Sequence, residues 1–170
     1  EAFRLGMTSG AITHGHPNGY IPSGCPAALV AFLMQGKTWS ESIDGVLALL
    51  GKIPNGERFG TERAIQTALS ESINGDHGLI IDQVVGCNAS HPGGWHGHDA
   101  LAIAIYAVRC SPNDSIEAVR IAVNHSGDSD STGSIAGALM GALHGDEEFE
   151  RHLVETNVNL EWHATLILLA

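Results

Sequence analysis

The run His125-Ser126-Gly127-Asp128-Ser129-Asp130-Ser131-Thr132-Gly133 packs two carboxylates and a string of hydroxyls into a few residues, just before an apolar stretch that opens at Ile135. Carboxylate and hydroxyl oxygens are hard ligands, suited to Mg²⁺, Mn²⁺ or Ca²⁺ rather than to zinc or copper. The apolar stretch has helical spacing. A helix start favours negative charge, because its first amide N–H groups have no intrahelical partner. Helix capping and cation binding both fit this chemistry. One capping residue satisfies a helix, though, and two aspartates with two serines exceed that need.

Two better-known acidic motifs fit less well. In a calcium loop of the EF-hand kind, Asp128, Asp130 and Gly133 would occupy positions 1, 3 and 6, but the bidentate glutamate of position 12 falls on Leu139. The aspartyl-nucleophile motif of haloacid-dehalogenase-type phosphatases ends a buried apolar strand, whereas Asn124-His125-Ser126-Gly127 precedes Asp128 here. Histidine supplies a second chemistry. The chain has 10 histidines, and His14/His16 and His96/His98 are His-x-His pairs. Such pairs can chelate zinc, making a zinc hydrolase an alternative, but zinc needs third and fourth ligands at suitable spacing.

Three segments together resemble the ADP-ribosylglycohydrolases, especially the ADP-ribosylarginine hydrolases and the glycohydrolase that reactivates dinitrogenase reductase. Gly127-Asp128-Ser129-Asp130-Ser131, followed by Ile135-Ala136-Gly137, Gly141 and Gly145, resembles the family's Asp-rich turn and its glycine-spaced helix. Ile12-Thr13-His14-Gly15-His16-Pro17-Asn18-Gly19-Tyr20 resembles a Thr-His-x-His-Pro segment. Gly93-Gly94-Trp95-His96-Gly97-His98-Asp99-Ala100 resembles a glycine-rich loop. The resemblance implies hydrolysis of an N-glycosidic bond between ADP-ribose and a protein side chain, arginine first among them. It implies a binuclear Mg²⁺ or Mn²⁺ site with Asp128, Asp130 and Ser131 as ligands, and Asp130 and Asp128 as the catalytic pair. It places His14 at the ribose or phosphates. A non-catalytic module that binds ADP-ribose or metal is the other alternative.

Some residues carry two readings. Backbone N–H groups of Gly93 and Gly94 could bind a phosphate without lysine. Trp95 either stacks on adenine or anchors its loop as a buried ring. His16 reads as a loop-fixing residue, Asp99 as a helix cap rather than a catalyst, and His125 as either a partner of the Asp turn or simple packing.

The elements that must position these residues read as helices. Thr38 with Glu41 and Asp114 with Glu117 are capping patterns, before Ile43–Leu50 and Ile116–Val123. Further helices are expected from Pro26 to Gln35, Thr61 to Ile73, Ala100 to Cys110 (capped by Asp99) and Phe149 to Ala170, with Gly51–Gly60 and Gly86–His98 as connections; Leu79 to Val85 reads as a helix, with a strand as the alternative that its β-branched residues allow. Gly133, Gly137, Gly141 and Gly145 recur at helical spacing and predict close packing against a neighbouring helix, with room for substrate near the Asp turn. No strand alternation appears. The expected fold is an all-α multi-helix bundle, one domain over 1–170, with a divalent metal site at a helix N-terminus.

At 170 residues and 44% hydrophobic, the chain can bury one core. Eight lysines and arginines against 19 acids give a net charge of −11, which disfavours nucleic acid and anionic membranes as partners. The expected partner is an ADP-ribosylated protein or an ADP-ribose-containing small molecule. Cys25, Cys87 and Cys110 are too far apart for a zinc motif and odd in number, which points to the reducing cytoplasm. Glu1-Ala2-Phe3-Arg4-Leu5 reads like the middle of a helix. With the resemblance covering the family's C-terminal part, an N-terminal companion segment carrying the remaining metal ligands is expected.

Overall fold

A computed structural model describes residues 1–83, 85, 93–145 and 147–155. Nine helices make up the described residues, with no strand among them. They are α1 (Ala2–Ala11), α2 (Pro17–Leu33), α3 (Trp39–Leu50), α4 (Asn55–Ser70), α5 (His77–Gln83), α6 (Gly97–Cys110), α7 (Ser115–Val123), α8 (Ser129–His144) and α9 (Glu147–Glu155). No helix among them is long and apolar enough to cross a membrane.

Helix α6 is the hub, and its sequence explains why. Asp99-Ala-Leu-Ala-Ile-Ala-Ile-Tyr-Ala-Val108 is apolar on every face after its first residue, and every one of these positions is buried. A helix apolar all round must be enclosed, and α2, α4, α7 and α8 pack around it. Alternating alanines let those neighbours approach while Leu101, Ile103 and Ile105 fill the gaps between them. At its far end, Arg109 donates to the Ala68 and Glu71 carbonyls (2.9 and 2.7 Å), satisfying acceptors that the end of α4 leaves open.

Two helix starts follow the sequence closely. Thr38 and Glu41 close a reciprocal capping box on α3, and Asp114 accepts the Glu117 N–H at 2.8 Å on α7. Other boundaries differ from expectation. Helix α2 begins at Pro17 rather than Pro26, and holds Pro22 and Pro26 inside it. His16 makes this start work: its Nδ1 accepts the Asn18 N–H at 3.1 Å, and proline at the first position needs no donor. Helix α4 begins at Asn55, in the stretch expected to be a connection, because Pro54 ends the extended chain and the Arg58 guanidinium reaches the Gly51 and Ile53 carbonyls.

Asp99 is not the cap of α6. The helix begins at Gly97 with His96 as N-cap, and Asp99 sits two residues inside it, buried. The expected glycine stripe is only partly used. A Cβ on Gly133 would come within 2.6 Å of Val123, but one on Gly141 would meet nothing within 4 Å. Gly145 ends the helix with φ +81°, a conformation that glycine adopts without strain. The expected loop lies outside the described residues from 86 to 92, Cys87 with it, and so does the expected C-terminal helix beyond Glu155.

Candidate functional site

Three stretches that are distant in sequence meet in one cleft of ≈ 900 Å³. The start of α2 brings His14, His16 and Asn18; the approach to α6 brings Gly94, Trp95 and His96; the start of α8 brings Asp128 and Ser131. Pro22 helps to join the first two. It has no N–H for the Asn18 carbonyl, and Gly97 packs there, where a Cβ would lie 3.4 Å from that oxygen.

The aspartate turn is held chiefly by backbone. The Asp128 N–H donates to the Gly93 carbonyl at 2.8 Å. A Cβ on Gly127 would overlap the Gly93 peptide, so the turn can approach that backbone only as glycine. The Ser126 N–H and hydroxyl both donate to Asp82 Oδ1, at 3.0 and 2.8 Å, from α5. His125 Nδ1 accepts the Gly127 N–H at 3.0 Å, and its Nε2 lies 3.1 Å from Thr132 Oγ1. Thr132 is fully buried and gives its hydroxyl proton to the Ala122 carbonyl at 2.6 Å. The proton of His125 is therefore on Nε2, pointed at Thr132. Of the two readings of His125, the structure has the partner of the turn.

Within the turn, the Ser131 hydroxyl donates to Asp128 Oδ2 at 3.0 Å, and the Ser131 N–H donates to Asp130 Oδ1 at 2.7 Å. Hydrogen bonding with the Asp128 side chain, then with the Ser131 N–H, holds the Asp130 carboxyl below the usual aspartate range. The oxygens of Asp128, Asp130 and Ser131 are thus gathered at one helix start, and their type fits Mg²⁺ or Mn²⁺. They are an incomplete set: among the described residues no three histidine, cysteine, aspartate or glutamate side chains come together as a metal-binding group. The same finding removes the support for a zinc site built on the histidine pairs. His14 Nδ1 lies 2.8 Å from Thr13 Oγ1, His16 caps α2, and His96 and His98, their rings 5.5 Å apart, both face the Asp99 carboxylate at 3.3 and 3.4 Å.

The expected site residues divide into two groups. Asp128, Ser131, His14, Gly94 and Trp95 line the cleft. Asp130 is exposed on the first turn of α8, and Gly93 is buried beneath the Asp turn; neither lines the cleft. Trp95 is 63% exposed, so its ring is not a buried anchor. Gly94 has φ +84°, and a Cβ there would press within 3.0 Å of Thr132. Gly133 and Gly137 stay outside the lining, although Ser131 and Ile135 on the same helix belong to it. Sequence reasoning missed Asp82, Gly127 and the burial of Asp99. Asp82 carries no local signal, because its partner lies 44 residues away. The burial of Asp99 could have been read from the apolar run that follows it.

A family model described as ADP-ribosylglycohydrolase matches residues 1–168. No solved structure matches the chain significantly.

Proposed function

That match spans nearly the whole chain, which therefore belongs to the ADP-ribosylglycohydrolase family, and we propose that it cleaves the N-glycosidic bond between ADP-ribose and an arginine side chain of a protein. The observation that carries this reading is the convergence of the three segments on one cleft, with Asp128 and Ser131 on its wall. A cleft of ≈ 900 Å³ is within the range for a dinucleotide-sized ligand. None of the described residues lining it is lysine or arginine. Phosphates would rely on backbone N–H groups such as that of Gly94, and on a bound cation. The exposed ring of Trp95 offers a stacking face for adenine, and His14 a contact for ribose or phosphate.

Asp128, Asp130 and Ser131 would hold Mg²⁺ or Mn²⁺. The cation would supply an activated water and fix the ribose hydroxyls. Asp130 would help to orient that water. The water oxygen bonds to the anomeric carbon as the carbon–nitrogen bond breaks. The bonding electrons go to the departing nitrogen, and the proton lost by water ends on it. Remaining ligands would come from water, substrate or protein groups other than these three.

Release of ADP-ribose from ADP-ribosylarginine, measured with Mg²⁺ or Mn²⁺ and again with EDTA, tests the reading. Metal-dependent release is expected, and Asp130→Asn should lower it by at least about 100-fold, the upper end for outer-sphere partners, with an unchanged helical circular-dichroism spectrum. Full activity in that variant would leave Asp130 a capping residue. A second reading has one observation in its favour: among the described residues no third carboxylate or histidine joins Asp128 and Asp130 in a metal-binding group, and a protein with that site alone would bind ADP-ribose without turning it over. Calorimetric binding of ADP-ribose without release from ADP-ribosylarginine would select it.

A further inference from the structure

The first turn of α2 meets the cleft with its backbone donors already used. Pro17 has no N–H, the Asn18 N–H donates to His16 Nδ1 at 3.1 Å, and the Gly19 and Tyr20 N–H groups donate to the His16 carbonyl at 2.8 and 3.2 Å. That turn has no spare N–H for a ligand, so its donors are side chains. Ser23 gives its proton to the Gly19 carbonyl at 3.1 Å. Asn18 lays its amide against α4: a Cβ on Gly60 would stand 2.8 Å from its Oδ1 and 3.4 Å from its Nδ2. Two imidazoles remain, His14 and His16, both exposed and both on the cleft wall.

The two differ in what fixes their protons. His14 Nδ1 faces the Thr13 hydroxyl at 2.8 Å, a group that can donate or accept, so either tautomer fits. His16 Nδ1 faces a backbone N–H, which only donates. Nδ1 must therefore be a bare lone pair, and the proton of the neutral ring is on Nε2. Among the described residues no hydrogen bond or ion pair engages that Nε2. A donor-only edge suits an acceptor-only group, and phosphate oxygens are such a group. The described lining has one carboxylate, Asp128, and no lysine or arginine, so a donor here is scarce.

We propose that His16 is a phosphate-binding residue: its Nε2–H donates to a diphosphate oxygen of the ligand in the cleft, while its Nδ1 caps α2. The N–H of Asn18 on one side of the ring polarises it for donation on the other. That the diphosphate belongs to ADP-ribose rests on the function proposed above; the free donor at Nε2 does not.

Imidazole NMR of the nitrogen-labelled protein in excess Mg²⁺, titrated separately with inorganic pyrophosphate and with ADP-ribose, tests this. His16 should show its proton on Nε2, and that signal should move with either ligand. His16→Ser keeps an acceptor at the cap but is too short to reach the place of Nε2. It should melt as the parent does and bind pyrophosphate about 10- to 100-fold more weakly, the loss expected for one hydrogen bond to a charged group. Unchanged affinity in His16→Ser overturns the proposal, and so does a proton on Nδ1 of His16 in the unaltered protein. If ADP-ribose moves the Gly94 and Trp95 amides while neither ligand moves His16, the donor role is wrong and the proposed function is untouched. If pyrophosphate moves His16 but ADP-ribose moves nothing in the cleft, the phosphate site stands and the proposed function fails.

Discussion

The two walls of the cleft are built differently. The aspartate turn is tied to α5 through Asp82, to the Gly93 carbonyl, and through Ser129 and Thr132 to the last carbonyls of α7 at Val123 and Ala122. Most of these partners are backbone atoms, which cannot rotate away. The facing segment is looser. Residues 11–16 are exposed, and the side-chain bonds of His14 and His16 reach only one or two residues along the chain. Trp95 stands exposed on the same rim. A cation tolerates little error in ligand position, whereas a nucleotide with several torsions tolerates more. The rigid wall therefore carries the oxygens proposed as cation ligands, and the adaptable wall the groups proposed to meet base and phosphate.

Substitutions can break this contrast, and the rigid wall should give the larger effects. Gly127→Ala forces a methyl group into the Gly93 peptide. It should cost about 1–3 kcal/mol of stability and displace Asp128, read by denaturant unfolding and by Mn²⁺ binding. Asp82→Ala removes the acceptor for both Ser126 donors. Mn²⁺ affinity should fall about tenfold to 100-fold, while Asp82→Asn, which keeps an oxygen there, should bind nearly as the parent does. Equal loss in both variants would mean that charge, not the acceptor, matters. On the loose wall, Trp95→Ala should weaken ADP-ribose binding by about 1–3 kcal/mol and leave the melting temperature unchanged, because the ring is largely outside the core. The smallest effect lies at the far end of α8. Gly141→Ala enters open space and should stabilise the protein by about 0.5–1 kcal/mol without altering binding.

Much of this was readable from sequence where the determinant is local. The capping pairs at Thr38 and Asp114 depend on residues three apart, and both formed. The aspartates were placed at a helix start because Ile135-Ala136-Gly137 follows them at helical spacing, and α8 begins at Ser129. What escaped depends on distant partners. Pro26 read as the first residue of a helix, yet α2 begins at Pro17 and runs through Pro22 and Pro26, packed against α1 and α6. Asp99 read as a cap, since Asp is a strong capping residue; the preceding Gly97 and His98 had already entered the helix, with His96 as its N-cap, which turned the carboxylate inward. Gly93 was read for its amide N–H alone; the role of its carbonyl as a strut for Asp128, 35 residues on, had no local signal.

Trp95 has a practical consequence. The chain holds three tryptophans; Trp39 is half-buried against the core through α3, whereas Trp95 stands in the mouth of the cleft. Indole emission shifts to shorter wavelength or is quenched when water leaves the ring. The cleft therefore has an optical probe at its entrance, and occupancy can be followed in real time without attaching a dye.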